Sequence, residues 1–403
     1  MEPMTPEGQP FDLSQLGAML QQIGQMMQRA ESDTDANGVS WSTIREAARN
    51  AISQSGDAAI LDSQRKAVSD AVNLAQVWLN PATSFPASTT ESAAWSKSEW
   101  LEKSLPAWKP LIEPVAAGLA KTVTQLTNES QSPLSLDEIP AEMRAMLAPM
   151  LQMAQKMAAV STGMQIGQGL AVLSQELLSS SEIAVPLSPD FVPVLLPERI
   201  RTFAEENSVA ASEALVFVAV REAALQRLFA AHPWLRAEVA DAISSYARGI
   251  SIDQDAIRET MSSIDPQDPM SMQQVFASGA FQPATTEEQQ RALNRLELTL
   301  ALVEGWVSVV TQNAIDARLS GTAQLIETMN RRRASGGPTE KTFENLVGLD
   351  FSPKLVRQAS ALWIAVGEAK GVDGRDGLWA HPDFMPTADD LDDVPAFLAR
   401  MSD

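Results

Sequence analysis

Cysteine is absent from this 403-residue chain, and histidine occurs only at His232 and His381. Without cysteine there can be no disulfide framework, thiolate zinc site or cysteine nucleophile. The same absence suits a reducing compartment, so a cytoplasmic location is expected. Two distant histidines do not assemble a serine–histidine–acid set. Cations are also scarce: 30 Lys and Arg face 51 Asp and Glu, a net charge of −21. Such a surface repels nucleic acid and anionic lipid, and neither is an expected partner. The run Arg331-Arg332-Arg333 reads as a solvated helix end. Long hydrophobic runs are missing as well. "ALVFVAV" is far short of the roughly 20 residues a bilayer span needs, so no membrane span is expected. "MEPMTPEGQP" has no basic region followed by an apolar stretch, so no secretory signal is expected. "GMQIGQG" holds glycines but no lysine and lies within helical period, unlike a phosphate loop.

What the chain does hold is ordinary for a globular protein: 45% hydrophobic and 20% charged residues. Its length predicts two or three compact lobes. Nearly every segment has helical period, no internal repeat is visible, and no run of alternating strands stands out. The fold class expected is therefore all-α. Leu13, Leu16, Leu20, Ile23 and Met27 form one helical stripe before the polar linker "ESDTDANGVS". Residues 1–40 are thus expected to be an amphipathic arm, with 11–30 able to hold a protein partner. Residues 41–138 are expected to form an N-terminal helical lobe and 139–403 the main helical domain, divided by "NESQSPLSLDEIP". Within the lobe, helices are expected over 41–55 and 57–79. Pro106, Pro110 and Pro114 are expected to break the chain before a helix over about 115–127. Trp95, Trp100 and Trp108 read as core anchors of that lobe.

Two later helices, expected over 208–231 and 286–318, carry the chemistry. The second is marked at its start by Thr285 and Glu288 at capping-box spacing. Residues 214–220 are apolar on every side, as in a buried helix, yet Glu222 follows at once. Glu304 interrupts a similar run, "LTLALVEGWVSVV". A buried ionised carboxylate must be paired, metal-bound or protonated, because desolvation alone costs several kcal/mol. A zincin presents two histidines at i and i+4 for zinc, a glutamate beside the first as general base, and a third ligand from a later helix. Residues 221–225 read Arg-Glu-Ala-Ala-Leu, so the glutamate is present and both imidazoles are missing.

Several segments resemble, in family order, the zincin-like metallopeptidases of actinobacteria, often labelled hydrolases or associated with deazaflavin coenzyme biosynthesis. They are "GMQIGQGLAVLSQELL", "VREAALQRLFAAHPWLRAEVADAISSYARGI", "LALVEGWVSVV", "RRRASGGPTEKTFENLVGLDFSPKLVRQASALW" and "GRDGLWAHPDFMPTADDLDD", covering roughly 140–395. The resemblance implies a zinc-dependent peptidase. It matches Glu222 to the general base, Glu304 to the downstream glutamate, and Arg221 and Leu225 to the two imidazole positions. A degenerate metal site follows, with Glu222 a vestigial base and no zinc or other cofactor expected. Binding or regulation then replaces hydrolysis. In that reading Arg221 takes the place of zinc and pairs with Glu304 or Glu222. The alternatives are an active peptidase with an irregular ligand set, Glu222, Glu304 and His381, and a structural subunit acting through its N-terminal helix. His232 reads as a helix-end residue.

Overall fold

The computed structural model describes residues 39–88, 90–127, 141–250, 286–316, 318–334 and 353–401. Among them stand twelve α-helices and one two-stranded parallel pairing, an all-α fold. Residues 1–38 of the expected arm, with its stripe over 11–30, and the expected boundary segment over 128–140 lie outside the described residues.

The first helices are α1 (Trp41–Ser55), α2 (Asp62–Leu79), α3 (Lys97–Thr127) and α4 (Ala141–Glu176). α2 begins later than expected because Asp57 is engaged elsewhere. Its carboxylate accepts from the backbone N–H groups of Lys97 at 3.0 Å and Ser98 at 2.9 Å, capping α3. The expected break before residue 115 does not occur: α3 runs through Pro106, Pro110 and Pro114. Pro106 and Pro110 lie on the exposed face, where water can satisfy the carbonyls that prolines leave unbonded. On the opposite face Trp100, Leu101, Leu105, Trp108 and Leu111 are buried, and their packing holds the helix together. Trp95, Trp100 and Trp108 are all core residues. The glycines of "GMQIGQG" serve close packing. A Cβ at Gly167 would lie 2.5 Å from the Ile44 carbonyl oxygen, so glycine there lets α4 meet α1.

Next come β1 (Ala93–Ala94) and β2 (Val194–Leu195), paired with Ala93 opposite Val194. Residues 178–180 lie along the other edge of β2, through Ser180 N–H to the Val194 carbonyl and Leu196 N–H to the Leu178 carbonyl. α5 (Pro197–Glu206) leads into α6 (Ala211–Ala231), which has no internal Gly or Pro. It stops at His232 because Pro233 restricts its predecessor and starts α7 (Pro233–Arg248). α8 (Glu287–Ile315) is capped by Thr286, one residue past the expected Thr285, which lies outside the described residues. Gln289 N–H donates to the Thr286 hydroxyl, and Thr286 N–H donates to the Gln289 side-chain Oε1. α9 (Thr322–Ala334) and α10 (Pro353–Gly377) follow, the latter broken at Gly371, whose φ of 72° leaves the helical region. Two short helices follow, α11 (Ala388–Asp392) and α12 (Val394–Arg400), divided at Asp393.

α6 packs against α2, α5 and α8, and α8 in turn against α7 and α10. The buried apolar cluster is continuous from Val39 to Phe397. Glu287–Ile315 is long and apolar enough to cross a membrane, but 72% of its apolar window is buried in this core. α8 approaches α10 most closely at Gly305. A Cβ there would lie 2.8 Å from both the Ala359 Cβ and the Ser360 backbone nitrogen. Gly305→Ala is therefore expected to destabilise the fold by about 1–3 kcal/mol in chemical denaturation. Gly377→Ala, where nothing approaches within 4 Å, should leave the midpoint nearly unchanged.

Candidate functional site

On α6, Arg221 and Leu225 are one turn apart and share a face, with Glu222 beside them. α8 brings Glu304 opposite. Arg221, Glu222, Leu225 and Glu304 line one cavity of about 20 Å³, together with Ser181 and Glu182. That is room for about one water molecule.

Glu222 is 2% exposed. Its Oε1 accepts from the Ser180 hydroxyl at 2.7 Å, Gln226 Nε2 at 2.8 Å, the Ser181 hydroxyl at 3.3 Å and Val194 N–H at 3.4 Å. Its Oε2 has no hydrogen-bond partner among the described residues. Burial pushes the carboxyl above its ordinary pKa, and the Gln226 and Ser180 hydrogen bonds only partly oppose that. Glu304 meets its burial differently. Arg221 Nη2 lies 2.7 Å from Glu304 Oε1, with side-chain exposures of 11% and 9%. The Ser308 hydroxyl donates to the same oxygen at 2.9 Å. Arg221 is thus placed with Glu304, while Glu222 is held by hydroxyl and amide groups.

Neither histidine lines the cavity. His232 stands at the C-cap of α6, edge-on to Phe85 at 4.8 Å between ring centroids. Burial lowers its pKa, against an opposing pull from Asp376. Its helix-end position therefore rests on packing rather than on a charge facing the dipole. His381 is exposed, and its Nδ1 accepts from the Asp383 N–H at 3.2 Å. The segment "GRDGLWAHPDF" is an anchor of the fold. Asp376 accepts from Trp306 Nε1, Arg375 Nε, the Thr83 hydroxyl and Ser84 N–H, tying the end of α10 to the loop after α2.

Sequence reading missed Ser180, Ser181, Gln226, Ser308 and Glu182. Gln226 and Ser308 each stand four residues after a buried glutamate, on the same helix face, a spacing that points to them. The serines reach Glu222 only through the pairing along β2, which no local pattern reveals.

This donor set does not fit zinc. A zinc site takes three or four N, S or O ligands on one centre. Arg221 and Leu225 supply none, and Glu304 is already held by a guanidinium that would repel a cation. No group of three or more His, Cys, Asp or Glu among the described residues could hold a metal ion.

Two facing helices, α6 and α8, thus each present one glutamate to a single small cavity. The zincin-like metallopeptidase family matches residues 39–398, and the chain belongs to that family. Its fold is similar to the crystal structure of a candidate hydrolase with a novel fold from Chloroflexus aurantiacus. The TM-score is 0.60 at 17% identity, over 90% of this chain and 99% of that one. No curated protein matches.

The unpaired, buried Glu222 carboxyl has a pH signature. Its folded pKa lies above its unfolded one, so its contribution is fully present below the unfolded value. It is lost as pH rises through the folded value. Glu222→Gln should therefore lose less stability than wild type between pH 5 and pH 8 (about the span of usual maximal stability). Urea denaturation at both pH values measures this. His232 titrates with the opposite sign, but it is common to both proteins and cancels in their difference.

Proposed function

We propose that this chain is a zincin-like family member that has lost its metal site and acts by binding rather than by peptide hydrolysis. The observation that carries this reading is the 2.7 Å ion pair between Arg221 and Glu304, inside the cavity that residues 221, 222, 225 and 304 line together. The guanidinium puts a fixed positive charge beside the carboxylate that would otherwise hold a metal. Leu225 fills the second imidazole position with hydrocarbon. Glu222 is then a vestigial base: without a metal to lower the pKa of a bound water, it has no activated proton to accept.

The other ligand set, Glu222, Glu304 and His381, has less support. His381 is exposed beside Asp383 and Phe384, away from the cavity lining. The same proposal carries a cytoplasmic location, supported by the lack of cysteine and the acidic composition. It also carries the actinobacterial, deazaflavin-associated context, supported by the likeness of the segments quoted above. A protein partner held through residues 11–30 is a further part of it, supported by their apolar stripe. Loss of bound partners on deleting residues 1–35 is the expected outcome, and unchanged pull-down would remove that part.

Elemental analysis tests the central reading. Protein purified in the presence of zinc should carry well under one zinc per chain. The double variant Arg221→His, Leu225→His should gain stoichiometric zinc, and with cobalt the visible absorption of a tetrahedral site. Stoichiometric zinc in the wild type would overturn the proposal.

A further inference from the structure

Arg221 also faces a second space. A groove of about 560 Å³ opens between α6, α8, α9 and α10, with Arg221 and Met329 shared between it and the small cavity. That volume lies in the range of small-molecule sites. Its apolar wall includes Phe217, Ile326, Met329, Val356 and Ile364. Its charge runs against that of the whole chain. Arg221, Arg331 and Arg357 line it, and among the described residues Glu327 is the single carboxylate in the lining. Glu327 pairs with Arg331 at 3.2 Å. Arg357 is exposed and makes no ion pair among the described residues. In a chain of net charge −21, this groove is a local cationic site.

Two further observations point to a ligand. Arg221 is largely buried, yet of its five N–H donors only one on Nη2 is engaged by a described residue, at Glu304. Thr311 is 2% exposed, lines the groove, and its hydroxyl has no hydrogen-bond partner among the described residues. A buried guanidinium with unused donors, over an apolar wall, is suited to one charged planar group attached to an apolar body.

We propose that this groove binds the free C-terminal carboxylate of a peptide ending in an apolar residue. The carboxylate is received by Arg221 and Arg357, and the last side chain lies against Phe217, Val356 and Ile364. A peptide is favoured over a simple fatty acid because Gln312, Asn330 and Ser360 also line the groove. Main-chain amides satisfy such groups, whereas a hydrocarbon tail would leave them dry and unpaired. This deepens the binding role proposed above and rests on it only in that no working metal centre cleaves the bound peptide. Metal content and the ligand test below report on the two separately.

The test uses the full chain and the probe acetyl-Ala-Ala-Leu, as the free acid and as its C-terminal amide, in isothermal titration calorimetry. The acid is expected to bind about tenfold or more tightly than the amide, as loss of a charge-assisted contact implies. Arg357→Gln, on an exposed side chain, should weaken the acid several-fold and leave the amide unchanged. Replacing both members of the buried pair, Arg221→Met with Glu304→Leu, avoids stranding a charge and should remove the acid preference. Decanoate is the third arm and should bind more weakly than the peptide acid. Equal affinity for acid and amide, no acid binding below a Kd of about 1 mM, or tighter binding of decanoate would each overturn the proposal. So would an acid preference that survives both variants.

Discussion

The contact between Arg221 and Glu304 sets what the rest of the site can be. Two carboxylates lie in the same small space between α6 and α8, and each has met the cost of burial in its own way. Glu304 keeps its charge beside a guanidinium at 2.7 Å, with Ser308 on the same oxygen. Among the described residues, Glu222 has no cation partner. Four donors crowd its Oε1 and none reaches Oε2, and burial moves it toward the neutral form. One metal ion would have met both needs at once by drawing the two carboxylates onto a common centre. A guanidinium is planar and directional, and here it serves one carboxylate and leaves the other to hydroxyls and an amide. Removing either member of the Arg221–Glu304 pair alone would strand a buried charge at a cost of about 3–5 kcal/mol.

Much of this was legible because it is periodic. Unbroken apolar runs marked α6 and α8 as buried, and single carboxylates inside those runs could only be sites of compensation. Positions 221, 222, 225 and 304 could be named before any fold was seen, because one helical turn fixes the first three on neighbouring faces. What resisted reading depends on tertiary context. Three prolines spaced by four suggested a break, yet buried Trp100 and Trp108 carry α3 straight through them. Thr285 and Thr286 both have a suitable partner three residues on, and local pattern alone did not separate them. Ser180 and Ser181 reach Glu222 because 178–180 lie along β2, a contact across more than forty residues that leaves no local trace.

Arg227 shows how the same helix treats a buried cation when no carboxylate is near. It is 1% exposed and donates to the Gln76 side chain, the carbonyls of Gln76 and Phe85, and Asn80. Burial lowers its pKa to about 10, so it stays charged at neutral pH. The Gln76 carbonyl belongs to the last turn of α2, where the helix dipole favours a cation. Neutral oxygens therefore suffice for a structural arginine on α6. The carboxylate at Arg221 is not needed merely to bury a guanidinium, and its presence there marks the position as one built around negative charge.

The fold also explains why the two helices need no metal between them to stay together. In small metallo-domains the ion supplies the folding energy, and the apo chain unfolds. Here α6 is held by α2, α5 and α8 through Phe217, Val218, Leu228 and Phe229, all buried. α8 is held by α10 through a close approach that requires Gly305. Packing on this scale fixes the distance between residues 221 and 304 independently of any ion. Once the frame is rigid without metal, a side chain of the right length and charge can replace the ligands. The cavity between the helices is about the size of one water molecule, and the wider groove beside it is open. The helices are positioned by hydrocarbon contacts, and the polar groups between them adapt to the space left over.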